Sequence, residues 1–186
     1  MKLSKFLFVG IISICITACQ QSKDTFPDLL TGFSHGQRLR FEQGDTILQD
    51  WQALAEIFPD RIGAFTAQEP TGTQISFGEN QFATARRLYQ QGDNIFAIQI
   101  SDYAIDSAAL SFLFQSQSPW LQHDTLAPFP LILHTHTSPQ AQEIQVVARV
   151  RYHLDFTLAS FPPYPVATDI LRALYWENLR TAHPLP

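Results

Sequence analysis

Two neighbouring runs of strand-forming residues constrain the fold most. Phe82 to Gln90 and Asn94 to Tyr103 each have strand length, and Gln91-Gly92-Asp93 between them is a hairpin signal. In the second run, Ile95-Phe96-Ala97-Ile98 is apolar on both faces, which predicts a central strand. A second hairpin is predicted from Leu131 to Thr137 and from Glu143 to about Leu158, turning at Ser138-Pro139-Gln140. Helices are predicted around these hairpins. Asp45 or Thr46 caps one whose apolar residues are Ile47, Leu48, Trp51, Leu54, Ala55 and Phe58, ended by Phe58-Pro59-Asp60. Asp106 caps a second, from Ser107 to about Gln115. After the stiff spacer Phe161-Pro162-Pro163-Tyr164-Pro165, Thr168 caps a third carrying Ile170, Leu171, Leu174, Tyr175 and Leu179 on one stripe. The order helix, strands, helix, strands, helix, without regular βαβ crossovers, predicts an α+β fold: a mostly antiparallel sheet built from hairpins, with about three flanking helices.

The first residues belong to targeting rather than to the fold. Met1-Lys2-Leu3-Ser4-Lys5 is a short positive segment, and Phe6 to Ile16 is an apolar run broken only by Gly10 and Ser13. That run is too short for a permanent bilayer crossing, which takes ~20 apolar residues. Ile16-Thr17-Ala18-Cys19 follows it. These residues resemble the lipobox of bacterial lipoproteins processed by signal peptidase II. The resemblance implies that the Cys19 thiol carries diacylglycerol, that the chain is cut before it, and that the new amino terminus is acylated. It covers only the signal and the acceptor cysteine. In bacteria that resemble the enteric pattern, Asp after the acceptor retains a lipoprotein in the inner membrane, so Gln20 points to the outer membrane, facing the periplasm. The expected organisation is a signal peptide at 1–18, a lipidated cysteine and tether at 19–28, and one globular domain at 29–186. The nine residues Gln20 to Asp28 reach at most ~30 Å, which keeps the domain close to its membrane.

Cys15 departs with the signal and Cys19 is consumed by lipid, which leaves no thiol for a disulfide, a metal or catalysis. The formal net charge is −5, and loss of Lys2 and Lys5 makes the chain more acidic still. The remaining basic residues are scattered, with neither the clustered basic face that nucleic acid requires nor the polybasic segment that anionic lipid requires.

Gly32-Phe33-Ser34-His35-Gly36 matches G-x-S-x-G, the nucleophile elbow of serine hydrolases, with Ser34 as the nucleophile. That chemistry needs a strained turn between a central strand and a helix. Phe26-Pro27-Asp28-Leu29-Leu30-Thr31 makes a poor central strand and Gln37-Arg38-Leu39-Arg40-Phe41 has no helical stripe. A glycine-rich loop is the simpler expectation. Phosphate-loop and dinucleotide fingerprints are absent.

His134-Thr135-His136 is the candidate metal motif. Residues two apart on a strand share a face, and the predicted hairpin sets His136 opposite Glu143 and His134 opposite Gln145. Leu131, Leu133, Ile144, Val146, Ala148 and Val150 then collect on the other face, and slipping the register by one would mix the two sets. Two imidazoles and a carboxylate are metal ligands, with His153, Asp155 or His123 as a possible fourth. Three residues fall short of a closed structural zinc site, so a solvated His–Glu strand face is expected instead, with no metal and no cofactor.

Asp102 and Asp106 follow a strand end, where carboxylates serve either chemistry or a turn and a cap. Arg86-Arg87 and Arg149/Arg151 sit on strands, and the latter two share a face, either a surface for an acidic partner or, more simply, a solvated face. The 15 phenylalanines fill a core or line an apolar groove. The segment from Arg86 to Ala104 is similar to a stretch in uncharacterised bacterial envelope proteins and brings no function with it. The expectation is a non-enzymatic envelope lipoprotein with a protein or lipid partner.

Overall fold

A computed structural model of the chain describes residues 35, 36, 38–77, 80–104, 110, 120–123, 125–159 and 163–179. The signal, Cys19, the tether, Ser34, Asp106 and most of the second predicted helix lie outside them. Leu110, within that helix, is helical and fully buried.

The two alternating runs form β4 (Asn80–Gln91) and β5 (Asn94–Asp102), paired antiparallel from Gln91↔Asn94 to Ala83↔Asp102. Gly92 turns the chain between them with φ +56°, a conformation that glycine adopts without a Cβ penalty. The other strands are β1 (Arg61–Ile62), β2 (Phe65–Ala67), β3 (Thr71–Phe77), β6 (Leu121–His123), β7 (Leu131–Thr137), β8 (Ala141–Ala148) and β9 (Tyr152–Ala159). All belong to one antiparallel sheet ordered β1-β2-β4-β5-β9-β8-β7-β6, with β3 also on β4. The fold is therefore α+β, dominated by its sheet. Two of its joins, β2 with β4 and β5 with β9, pair strands that are not consecutive, so hairpins alone do not build it.

One face of the sheet carries the main core. Tyr89, Phe96, Ile98, Ile100, Leu154 and Phe156 pack beneath α1 (Trp51–Ala55) and α2 (Ala167–Ala173). Phe96 sits 5.1 Å from both Phe65 and Tyr89, edge-on to the first and stacked on the second. Residues 175–178 dock on the end of α1, with Tyr175 N–H donating to Ile57 O at 2.9 Å and Asn178 Nδ2 to Glu56 O at 2.7 Å.

Several predicted boundaries are corrected. Asp50, not Asp45 or Thr46, caps α1, accepting from Ala53 N–H at 2.7 Å. Ile47 lies before the helix and is 79% exposed, while Asp45 is buried in an ionic cluster. Thr168 caps nothing: α2 begins after Val166 with no side-chain cap and stops at Leu174, whose extended backbone leads into a 3-10 turn at Trp176–Asn178. Tyr175 is exposed there rather than on the buried stripe. The predicted strand from Glu143 to Leu158 is two strands, β8 and β9, reversing at Arg149-Val150 with φ +54° at both. Left-handed backbone is unusual for arginine and more so for β-branched valine.

Long-range contacts hold that turn. Val150 O accepts from Arg40 Nη1 at 2.7 Å, and the Arg149 guanidinium lies 4.2 Å above the Phe129 ring. Next to it, Arg151 is buried rather than solvated and grips Asp102 bidentately, Nε to Oδ1 and Nη2 to Oδ2, both at 2.7 Å. Arg151 Nη1 also donates to Asp45, whose other oxygen accepts from Arg40 Nε at 3.1 Å. Burial pulls the Arg151 guanidinium down, but hydrogen bonding and charge pairing with Asp102 leave it above its ordinary value. Two arginines and two aspartates thus form a neutral buried quartet that ties residues 40–49 to the end of β5 and the β8–β9 turn. Asp102 serves this quartet. No helix among the described residues is long and apolar enough to cross a membrane.

Candidate functional site

The second face of the sheet is the candidate site. Strand register sets Arg86, Gln99, Asp155, Gln145 and His134 in one transverse row over β4, β5, β9, β8 and β7. At ~4.8 Å between strands the row is roughly 19 Å long. Alongside it Thr157, Glu143 and His136 form a second row. At the β4–β5–β9 end these residues border an open depression of about 350 Å³, lined by Arg86, Leu88, Ile95, Gln99, Asp155 and Thr157 among others. Ile95 contributes an apolar patch, 47% exposed.

Charge on this face is sparse. Arg86 is exposed, whereas its neighbour Arg87 points to the opposite face and clamps Phe58 O, Asp60 and Gln68 O at 2.8–2.9 Å. Asp155 is half-buried. Burial raises its pKa, the negative charge of Glu143 raises it further, and Arg86 opposes both.

His134 and His136 meet Gln145 and Glu143 in the expected register. Their surroundings differ. His136 is exposed, but His134 is buried against Trp120, ring centroids 5.3 Å apart, and neither of its ring nitrogens has a hydrogen-bond partner. Burial lowers the His134 pKa, against the pull of Glu143, and His136 lowers it further. Trp120, Leu110 and Val147 form a small second core that covers this end of the face, which is therefore not simply solvated. His153, opposite Val147, is buried too, and desolvation pushes it down to about 4.

The proposed extra metal ligands are not brought together with His134, His136 and Glu143. His123 pairs with Leu131 and so faces the main core. Asp155 and His153 are two strands away from β7, behind Gln145 and Val147. Among the described residues, no group of three or more His, Cys, Asp or Glu side chains converges on a metal position. The serine motif is not a loop over its described residues: His35 and Gly36 are helical, as are residues 38–42, and His35 lies beside Arg38 at 3.2 Å.

Sequence reasoning found the His134/His136/Glu143 juxtaposition but missed the Arg86–Gln99–Asp155 row. Its signal was available, since the same residues alternate with the core-facing ones on each strand. The row offers hydrogen-bond donors, acceptors and a split pair of charges beside an open depression. No family model matches the chain, and neither the curated proteins nor the solved structures searched contain a match to it.

Proposed function

We propose that this chain is a lipid-anchored envelope lipoprotein at the periplasmic face of the outer membrane, and that its domain binds an envelope partner rather than catalysing a reaction. The observation that carries the binding role is the second sheet face, where a row of polar side chains borders a shallow depression instead of a closed cavity. Small-molecule sites enclose most of their ligand, whereas this surface suits an extended one. Lys2, Lys5, the apolar run and Ile16-Thr17-Ala18-Cys19 support the anchor. Stable anchoring takes two lipid signals, because a single chain binds only marginally.

Two experiments test the reading separately. Cys19→Ser should prevent lipidation and leave the precursor uncut, which mass spectrometry of the amino terminus from membrane fractions measures. A mature terminus without lipid mass refutes the anchor. For the face, a photo-crosslinker at Gln99 should give a discrete adduct in intact cells that Asp155→Arg abolishes. One at Gln52, exposed on α1, should give none. Equal adducts at both positions, or none at either, refute the binding face.

A further inference from the structure

The sheet ends in three strands of very different length. β1 has two residues and β6 has three, short edges of the kind that discourage further pairing. β3 has seven, Thr71-Gly72-Thr73-Gln74-Ile75-Ser76-Phe77, with no charge and no proline within it. Residues 71–76 are all exposed, and Ile75 is 42% so. One edge of β3 pairs with β4 along its whole length, from Thr71↔Arg86 to Phe77↔Asn80. Its other edge has no strand beside it among the described residues. Such an edge presents alternate N–H and C=O groups as a template for another strand.

The strand is also held in place. A Cβ on Gly72 would come within 2.6 Å of both the Trp51 ring and Thr84 O, so the indole of α1 lies directly on the β3 backbone. Pro70 precedes Thr71 and bounds any ladder at that end, because proline has no N–H to donate.

We infer that β3 is a homodimer interface, pairing antiparallel with β3 of a second copy about a two-fold axis at Gln74. The sequence is self-complementary in this register. Thr73 meets Ile75 of the partner subunit, a pair of β-branched side chains on one face, and the Gln74 amides meet at the axis. Gly72, under Trp51, meets Ser76 of the partner subunit, which is small. Charge argues for a second copy too. The chain carries a net −5, and the uncharged β3 adds no like-charge pair within the ladder where two copies meet. The two sheets become one, and the recognition faces of both copies lie on the same side of it.

Sedimentation of the purified full chain over a concentration series tests this. The protein should dimerise, and Gln74→Lys and Thr73→Lys should each weaken dimerisation by a factor of ten or more while retaining the wild-type circular dichroism. Gln52→Lys, on α1, should leave it unchanged. In a chain carrying Cys15→Ser and Cys19→Ser, Gln74→Cys should cross-link across the axis and Gln68→Cys should not. A monomer at every concentration, a dimer insensitive to both lysines, or cross-linking as strong from position 68 overturns the inference. The lysine variants are compared at the same amino terminus, so any association through the anchor is common to all of them and the two ideas fail independently.

Discussion

Arg151→Met should be among the most damaging single substitutions in this protein. The methionine replaces a guanidinium that donates twice to Asp102, once to Asp45 and once to Ile47 O at 2.6 Å. Asp102 is fully buried and Asp45 is 3% exposed. After the substitution Asp102 loses both guanidinium bonds and keeps the Gln49 N–H at 2.9 Å, while Arg40 stays on Asp45. The quartet changes from neutral to a net buried negative charge. Removing one partner of a buried ion pair costs about 3–5 kcal/mol, against a total stability of about 5–15 kcal/mol for a domain. With a urea slope of about 2 kcal/mol/M, the midpoint falls by roughly 1.5–2.5 M. Adding Asp102→Asn removes the stranded charge, so the double variant should be more stable than the sum of the single effects implies, by about 1–3 kcal/mol. Urea melts followed by tryptophan fluorescence measure all of this. A loss below about 1 kcal/mol for Arg151→Met is the behaviour of an exposed ion pair. It would show that Arg151 is solvated and that the quartet does not form.

Three more outcomes follow from the same geometry. His153 is pushed down to about 4 in the folded chain against 6.5 when free, so only the unfolded chain takes up its proton as pH falls between those values. Stability should therefore drop from pH 7.5 to pH 4.5 by about 2–3 kcal/mol, and His153→Gln should remove that part of the pH dependence; urea midpoints at the two pH values check it. Gly72→Ala should cost about 1–3 kcal/mol, because backbone and indole both stand in the way of the new methyl. Trp51→Ala should relieve only part of that loss in thermal melts, since Thr84 O remains. Zinc should raise the melting temperature no more than magnesium does, given that His134, His136 and Glu143 gain no further ligand among the described residues; a zinc-specific rise lost in both His134→Ala and His136→Ala refutes this.

What the sequence determined by itself was local. Gly92 between two runs of strand-forming residues was enough to place β4 and β5, because the turn residue and its flanking strand formers are written within a few positions of each other. The β7–β8 register was legible in part: a slip by one residue would mix Leu131, Leu133, Ile144 and Val146 with His134, His136 and Glu143, and the Ser138-Pro139-Gln140 turn limits larger slips. The β8–β9 turn was not legible. Arg149-Val150 carries no turn residue, and its positive φ is held by Arg40, over a hundred positions earlier, and by the Phe129 ring. Nor was the depth of Arg151, since alternation reports that a side chain shares a face with its neighbours and not what covers that face. Asp45 was the wrong cap for a long-range reason: the buried arginines draw it into the quartet, and Asp50, of the same side-chain type, caps α1 instead. The candidate site divides in the same way. The strands aligned its residues, but Trp120 buried His134 and left His136 in water. Hydrogen-bonded register is a property of neighbouring residues, whereas burial and charge pairing depend on which distant segments arrive. Only the folded chain brings those together.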